Sequence, residues 1–195
     1  MEPVTAILNL ATAMKVTLRQ WQDSDFAPFA ALNADPEVMR YFPSLLTCEA
    51  SDAMAARQRG LIETRGWGLW AVDVDGEFAG ITGLSVPRFE AAFTPCVEIG
   101  WRFAREFWGR GIAREAATLA LHHGFSELGL AEIVSFTARV NERSWRLMER
   151  LGFVRDLHGD FLHPNIPAEH ELSCHVLYRK QAAAGLIRTG TRMRL

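Results

Sequence analysis

The chain has 195 residues, 49% of them hydrophobic, which is enough for one domain with a substantial core. Its 21 basic and 23 acidic residues give a net charge of −2, so charge gives no reason to expect nonspecific nucleic-acid binding. Cys48, Cys96 and Cys174 lie far apart, which excludes a disulfide framework or a CxxC metal knuckle and is typical of free thiols in a reducing compartment, the cytoplasm. No run of about 18 apolar residues predicts a membrane-spanning helix.

The first half of the chain mixes strand and helix patterns. Alternating residues predict a strand, apolar residues at helical spacing after a capping Asp or Thr predict helices, and an Asp-Gly pair predicts a hairpin turn. In chain order we expect a strand at 16–21, a helix after residues 23–25, a short helix from Asp35, a helix from Thr47 to Thr64, and a hairpin over 68–86 with its turn at Asp75-Gly76.

The segment from Val97 to Phe153 carries the most specific pattern. An apolar-rich strand leads into Trp-Gly-Arg-Gly-Ile-Ala at 108–113, and a helical pattern begins immediately after it. Because glycine has no Cβ, Gly109 and Gly111 let the backbone bend tightly and direct several N–H groups at one anion where the helix begins. The loop therefore predicts a phosphate-binding site, although strand-to-helix turns also use glycine for steric reasons alone.

The helix predicted after this loop has a face of small residues. Alanine and glycine recur at spacings of three and four, which permits close approach to a neighbouring element. The small residues are Ala113, Ala116, Ala117, Ala120 and Gly124. Gly129 ends the helix, a β-rich run follows at 133–138, and Asn141 opens a second helix that ends near Phe153.

Three motifs in this segment resemble those of one family. Gly-x-Gly-x-Ala at 109–113, Asn-x-x-Ser at 141–144 and Leu-Met-Glu-Arg-Leu-Gly-Phe at 147–153 are similar to the motifs of the GNAT superfamily of acetyl-CoA-dependent N-acyltransferases. Ser144, His163-Pro164 and the run 175–179 are most similar to its ribosomal-protein-alanine N-acetyltransferase (RimJ/RimL-type) branch. The sharp match covers residues 97–153, and a weaker match extends from about Val16 to Arg179.

The resemblance implies a fold, a domain organisation and a co-substrate. The fold is α+β, with a central mixed, largely antiparallel twisted sheet flanked by helices on both faces. A single acetyltransferase domain is expected over 15–180, with flexible ends at 1–14 and 181–195 and no signal peptide. The co-substrate is acetyl-CoA. By resemblance, its pantetheine lies beside Trp101, Arg102 and Phe103 and is oriented by Asn141. Its pyrophosphate is held by Gly109, Arg110, Gly111, Ile112, Ala113 and Arg114.

Two features of the phosphate loop stay open at this stage. Trp108 stands where the family usually has Gln or Arg. Since the loop works mainly through backbone N–H groups, this replacement need not abolish binding, but it leaves the role of Trp108 undefined. Arg105, Arg110 and Arg114 either contact phosphates or belong to a solvated surface.

Transfer of an acyl group to an amine requires the amine to be neutral. Glu98, on the strand that leads to the loop, is the candidate general base, or else an ordinary solvent-facing glutamate. By resemblance Ser144 protonates the departing CoA thiolate, because Met148 stands where other members have a proton-donating Tyr. Asn141 and Ser144 are equally suited to capping the helix. An acyl-Cys96 intermediate is conceivable, but the resemblance implies direct transfer.

Two classes of function fit these residues. The first is an acetyl-CoA-dependent N-acetyltransferase acting on a primary amine, either a protein N-terminal α-amine or a small-molecule amine. The second is a non-catalytic acyl-CoA-binding sensor or interaction module. No nucleic acid, membrane or metal is expected as a partner, and the protein is expected to be a monomer or a homodimer.

The remaining aromatic and histidine residues have structural explanations as well as functional ones. The front half supplies the acceptor-site wall in the family, so several aromatics are candidates for the pocket, or else for the core. They are Trp21, Tyr41, Phe42, Trp67 and Trp70. His158, His163, His170 and His175 lack tight metal-ligand spacing, and we expect them in a loop that contacts the acceptor or a partner.

Overall fold

The computed structural model describes residues 14–183 and contains one eight-stranded sheet. The strands are β1 (Val16–Arg19), β2 (Leu69–Val74), β3 (Glu77–Ser85), β4 (Glu98–Phe103), β5 (Glu132–Ala138), β6 (Val154–Arg155), β7 (Phe161–Leu162) and β8 (Cys174–Gln181). The helices are α1 (Phe26–Ala34), α2 (Cys48–Arg65), α3 (Ile112–His122) and α4 (Glu142–Arg150). The expectations for the two ends fall largely on residues 1–13 and 184–195, which lie outside the described residues.

The sheet has the order β1-β2-β3-β4-β5-β8-β6, with β7 paired to β8. Every pairing is antiparallel except that of β4 with β5. Helices α3 and α4 share an apolar cluster on one face, and α1 and α2 share another cluster on the opposite face. The predicted α+β fold, with a mixed and largely antiparallel sheet between helices, is confirmed.

Local signals located most of these elements. Thr47 caps α2 by accepting a hydrogen bond from the N–H of Ala50 at 3.2 Å, and the hairpin turns at Asp75 and Gly76, whose φ angles of 54° and 93° suit a tight β-turn. Two expectations were wrong. The segment from Asp35 forms turns rather than a short helix, and His175 is buried in β8 rather than placed in a loop before it. Helix α3 continues past His122 as a π-helical turn over His123–Glu127 and stops before Gly129, as expected.

The small face of α3 packs tightly on the sheet. Ala116, Ala117 and Ala120 are fully buried, and a Cβ built on Gly124 would lie 2.6 Å from the Ile133 side chain of β5. A larger residue at these positions has no space without movement of the core. The predicted close approach of this helix to a neighbouring element is therefore confirmed.

Strands β4 and β5 separate after a single register pair. Glu98 pairs with Val134, and the Val134 N–H donates to Val97 O at 2.9 Å, whereas β4 pairs with β3 along its whole length. Beyond this pair the buried Ser135 hydroxyl donates to Ile99 O at 3.0 Å. The divergence opens the middle of the sheet at the point where Glu98 lies.

Side chains of β4 alternate between the two faces of the sheet. Ile99 packs in the cluster that contains α3 and α4, and Phe103 packs against the first turns of α3. Glu98 and Arg102 point to the other face, where Glu98 meets Ser85 and Arg102 meets Asn33 of α1. The face that carries Glu98 is called the acceptor face below.

Candidate active site

The loop before α3 has the geometry of an anion site. Gly109 and Gly111 adopt φ angles of 74° and 81°, in the left-handed region that glycine tolerates best, and Gly111 is the N-cap of α3. Within residues 14–183 the N–H groups of Gly111, Ile112 and Ala113 have no hydrogen-bond acceptor. These free donors at the positive end of a helix suit a phosphate or pyrophosphate group.

The arginines around this loop have different environments. Arg105 forms an ion pair with Asp35 at 2.7 Å, so its charge is already partnered. Arg110 is exposed and reaches back to Met14. Arg114 lines an open groove together with Arg150 and Lys180, and three cations in one groove attract an anion.

Trp108 links the phosphate loop to α4. Its indole N–H donates to Phe103 O at 2.8 Å, and the guanidinium of Arg143 lies 4.5 Å from the centre of its ring. A cation over an indole face is an attractive contact. Trp108 therefore holds the end of β4 and the first turn of α4 beside the loop. No sequence signal identified Arg143, because such a contact depends on the packing of two segments that are distant in the chain.

Glu98 lies at the divergence of β4 and β5. Its carboxylate accepts a hydrogen bond from the Ser85 hydroxyl at 2.7 Å. Burial, which disfavours the charged form, raises the pKa of Glu98 to about 7, and the Ser85 hydrogen bond opposes this only in part. A carboxylate with a pKa near 7 is suited to accept a proton at neutral pH, unlike an ordinary surface glutamate.

Asn141 and Ser144 have separate roles at the start of α4. Asn141 caps the helix: its Oδ1 accepts from the Ser144 N–H at 3.3 Å, and its Nδ2 donates to the Thr137 hydroxyl at 3.0 Å. The Ser144 hydroxyl itself makes no hydrogen bond to any described residue, so it is not needed as a cap. Met148 is fully buried in the core and has no proton to donate. Ser144 follows Arg143, which contacts the phosphate loop through Trp108.

Cys96 is unsuited to carry an acyl group. It is buried beside Val134 and Leu177, and burial, followed by the negative charge of Glu98, raises the pKa of its thiol to about 11. Since the thiolate is the nucleophile, a thiol with this pKa is almost entirely unreactive at neutral pH.

The predicted pantetheine segment has side chains on both faces. Trp101 and Phe103 face the α3 side, whereas Arg102 points to the acceptor face, where it binds Asn33. A contact of this segment with pantetheine stays a prediction, and for Arg102 it concerns the backbone alone. Among the candidate pocket aromatics, Trp21, Trp67 and Trp70 belong to the core, while Tyr41 and Phe42 are partly exposed.

Comparison with known proteins identifies the family. Residues 15–154 match the family model described as an acetyltransferase (GNAT) domain. The chain belongs to the GNAT acetyltransferase family. It is 28% identical over 164 residues to spermidine N(1)-acetyltransferase of Escherichia coli K12, covering 79% of this chain and 80% of that protein.

Solved structures agree with this assignment. A GNAT-family acetyltransferase from Bacillus anthracis is 25% identical with a TM-score of 0.68, covering 85% of this chain and 94% of that one. The ribosomal-protein-S5-alanine acetyltransferase from Vibrio fischeri shares the fold, with 18% identity, a TM-score of 0.65 and coverage of 88% and 94%.

As a GNAT protein, the chain is an N-acetyltransferase, and members of this family use acyl-CoA as the donor. This conclusion favours the enzyme over the non-catalytic binding module. Within residues 14–183, no helix combines the length and apolar character that crossing a membrane requires. Across the same residues, no three His, Cys, Asp or Glu side chains come together as a metal-binding set.

Proposed function

We propose that this GNAT enzyme transfers the acetyl group of acetyl-CoA to a primary amine by direct attack, through one domain spanning residues 15–180. The acceptor is a protein N-terminal α-amine, as in the RimJ/RimL-type branch that Ser144, His163-Pro164 and the run 175–179 resemble, or a small-molecule amine. The observation that carries the proposal is the set of free N–H groups at Gly111, Ile112 and Ala113, which supports pyrophosphate binding at the start of α3.

The proposed chemistry uses one base and one acid. The neutral amine attacks the thioester carbonyl, a C–N bond forms and the C–S bond breaks. Glu98, directly or through water, takes the proton that the amine loses and then releases it to solvent, and Ser144 donates a proton to the departing thiolate and regains one from solvent. The pKa of about 7 at Glu98 and the unengaged hydroxyl of Ser144 support these roles.

Replacement of Gly111 tests the donor site. We expect Gly111→Asp to abolish acetyl-CoA binding in calorimetry, because it adds a side chain and a negative charge among the N–H donors. Gly129→Asp is the matched control: Gly129 also has a positive φ, of 65°, and also has open space at its Cβ, but it lies beyond the other end of α3. Both variants carry similar backbone strain, so a difference between them reports on the anion site.

Turnover tests the reaction itself. An acceptor panel of α-amine peptides, spermidine and amino acids, followed by release of free CoA, is expected to show acetyl transfer by the wild type and none by Gly111→Asp. If Gly111→Asp binds acetyl-CoA as tightly as Gly129→Asp, the assignment of the loop is wrong. If the wild type binds acetyl-CoA but acetylates no amine in the panel, the proposed reaction is wrong.

A further inference from the structure

Arg102 is a partly buried cation that has no carboxylate partner within residues 14–183. Among residues 14–183 it forms no ion pair, and its Nε is buried without a hydrogen-bond acceptor. The guanidinium donates to the Oδ1 of Asn33 through one nitrogen, and its Cζ lies 4.1 Å from the centre of the Phe42 ring. Burial lowers the pKa of Arg102 to about 10, and no neighbouring charge offsets this effect.

The groups around Arg102 are polar but neutral. Asn33 is fully buried, and its own amide donates to the Ser51 hydroxyl of α2 at 2.8 Å, which fixes its oxygen toward Arg102. The partially exposed Phe42 covers one side of the guanidinium. The arrangement therefore orients the cation without neutralising it, and most of its five N–H donors stay available.

Other arginines of this protein show the contrast. Arg19 forms a two-point ion pair with the buried Asp25, at 2.6 and 2.8 Å, and Arg179 binds both Asp156 and Glu132. A buried charge that lacks such a partner is strongly unfavourable. Arg102 is thus in an environment that an incoming anion would stabilise.

Arg102 and Glu98 lie on the same strand and on the same face. Residues four apart on a strand have Cα atoms about 13 Å apart, and both side chains rise from the acceptor face. Gly100 lies between them without a side chain, and no atom lies within 4 Å of a Cβ built on it. The surface between the base and the cation is therefore open to a small molecule.

We propose that Arg102 binds an anionic group of the acceptor, so that the preferred acceptor is a small primary amine that also carries a carboxylate. The amine lies at Glu98 and the carboxylate at Arg102, within reach of a two-point hydrogen bond to the guanidinium. The Glu98 and Arg102 side chains span part of the interval of about 13 Å between their Cα atoms. A dipeptide, which spans about 7 Å between its ends, or an ω-amino acid of similar length matches the part that is left. The assignment rests on the proposed function, whose base is Glu98.

The same geometry disfavours polyamines. A polycation that places one amine at Glu98 brings its next charge toward the partly buried guanidinium, and like charges repel more strongly at such a site than in bulk water. The relative from Escherichia coli is named for spermidine, so the two enzymes are expected to differ in acceptor.

Paired acceptors that differ only in charge test the assignment. L-alanyl-L-alanine and its C-terminal amide, and 5-aminopentanoate and pentylamine, are compared by kcat/KM at saturating acetyl-CoA. We expect the wild type to prefer the carboxylate member of a pair by about 10- to 100-fold, mainly through KM, as is typical for a charge-assisted hydrogen bond. Spermidine is expected to be a poorer acceptor than either carboxylate.

Two variants and one control locate the effect. Arg102→Met removes the cation, and Asn33→Asp gives it an internal carboxylate partner of nearly the same shape; both are expected to bring the carboxylate-to-amide ratio near one. Arg57→Met removes an exposed arginine of α2 and is expected to keep the wild-type ratio. If Arg102→Met does not fold, Asn33→Asp still tests the assignment, because it retains Arg102.

The outcomes separate the two proposals. Three results would overturn the role of Arg102 while leaving acetyl transfer intact. The first is a carboxylate-to-amide ratio of kcat/KM near one in the wild type, and the second is a ratio that Asn33→Asp and Arg102→Met leave unchanged. The third is a preference for spermidine or for long peptides with blocked carboxyl ends. If no amine is acetylated, the proposed function is wrong. Calorimetry with N-acetyl-L-alanyl-L-alanine and its amide then tests Arg102 without turnover: equal affinities of the two would overturn it as well.

Discussion

At the scale of single residues, the feature with the clearest chemical consequence is the raised pKa of Glu98. An amine of the lysine type, with a pKa of about 10.4, costs roughly 4 to 5 kcal/mol to deprotonate near neutral pH, whereas an α-amine near 8 costs about 1 to 2 kcal/mol. A carboxyl group with a pKa of about 7 is unprotonated in about half of the molecules at pH 7, and that half can accept a proton. The need for Glu98 therefore depends on the acceptor.

Glu98→Gln is expected to lower kcat/KM by about 10²- to 10⁴-fold for a high-pKa amine and by less for an α-amine. Raising the pH should partly restore the variant, because solution then supplies neutral amine. The wild-type pH profile is expected to rise through pH 7 and that of the variant to lack this inflection. Glu77→Gln, at the exposed start of β3, is the control. Parallel profiles with equal rates would show that Glu98 takes no part, and that positioning and desolvation alone suffice.

At the scale of elements, local signals predicted more than long-range ones did. The Asp75-Gly76 hairpin, the Thr47 cap of α2, and the order of strand, glycine loop, helix, strand and helix followed from turn chemistry, capping and periodicity. The helix expected from Asp35 did not form, because a single capping signal without an apolar period does not stabilise a helix.

The residues of the candidate site also divide into those that local sequence signals indicate and those that only tertiary packing brings together. Gly109, Gly111, Glu98 and Ser144 could be singled out as candidates from the sequence because each belongs to a local motif or strand. The contact of Arg143 with Trp108 and the isolation of Arg102 beside Asn33 depend on tertiary packing between segments far apart in sequence. The alternation of β4 placed Arg102 on the Glu98 face, but its lack of a partner required the folded chain.

The first turn of α4 allows capping to be separated from catalysis. Asn141 caps the helix, whereas the Ser144 hydroxyl has no partner among the described residues. Asn141→Ala is expected to lower the free energy of unfolding by about 1 kcal/mol. Ser144→Ala is expected to leave it nearly unchanged and to lower kcat by roughly 10- to 1,000-fold, with little change in acetyl-CoA affinity.

Urea unfolding and steady-state kinetics on the two α4 variants decide this point. Ser126→Ala, at a partly exposed serine in the π-helical turn after α3, serves as the control for loss of a hydroxyl. If Ser144→Ala loses stability and keeps its turnover, the serine is a structural residue of α4.

At the scale of the whole molecule, buried titratable groups on the sheet act on stability in opposite directions. The folded state raises the pKa of Glu98 from 4.5 to about 7, so the folded protein binds the extra proton and stability falls as the pH rises through this window. Burial lowers the pKa of His175 from 6.5 to about 4, and here the unfolded chain binds the extra proton, so stability falls as the pH drops from 6.5 toward 4. His163, whose ring lies 4.9 Å from that of His175, also has a lowered pKa and acts in the same sense.

Between pH 4.5 and 6.5 these slopes oppose each other, and the wild type is expected to change little in stability. Glu98→Gln removes the decrease in stability with pH that Glu98 causes and keeps the increase that the histidines cause. The free energy of unfolding of this variant should therefore increase with pH across this window, and above pH 7 it should exceed that of the wild type. His175→Gln should show the reverse trend, with stability that decreases from pH 4.5 to 7. Urea unfolding of the three proteins at half-unit pH steps measures both slopes. A Glu98→Gln curve parallel to that of the wild type would mean that the carboxyl group has an ordinary pKa in the folded protein, and the assignment of Glu98 as a base poised near neutral pH would then lose its physical ground.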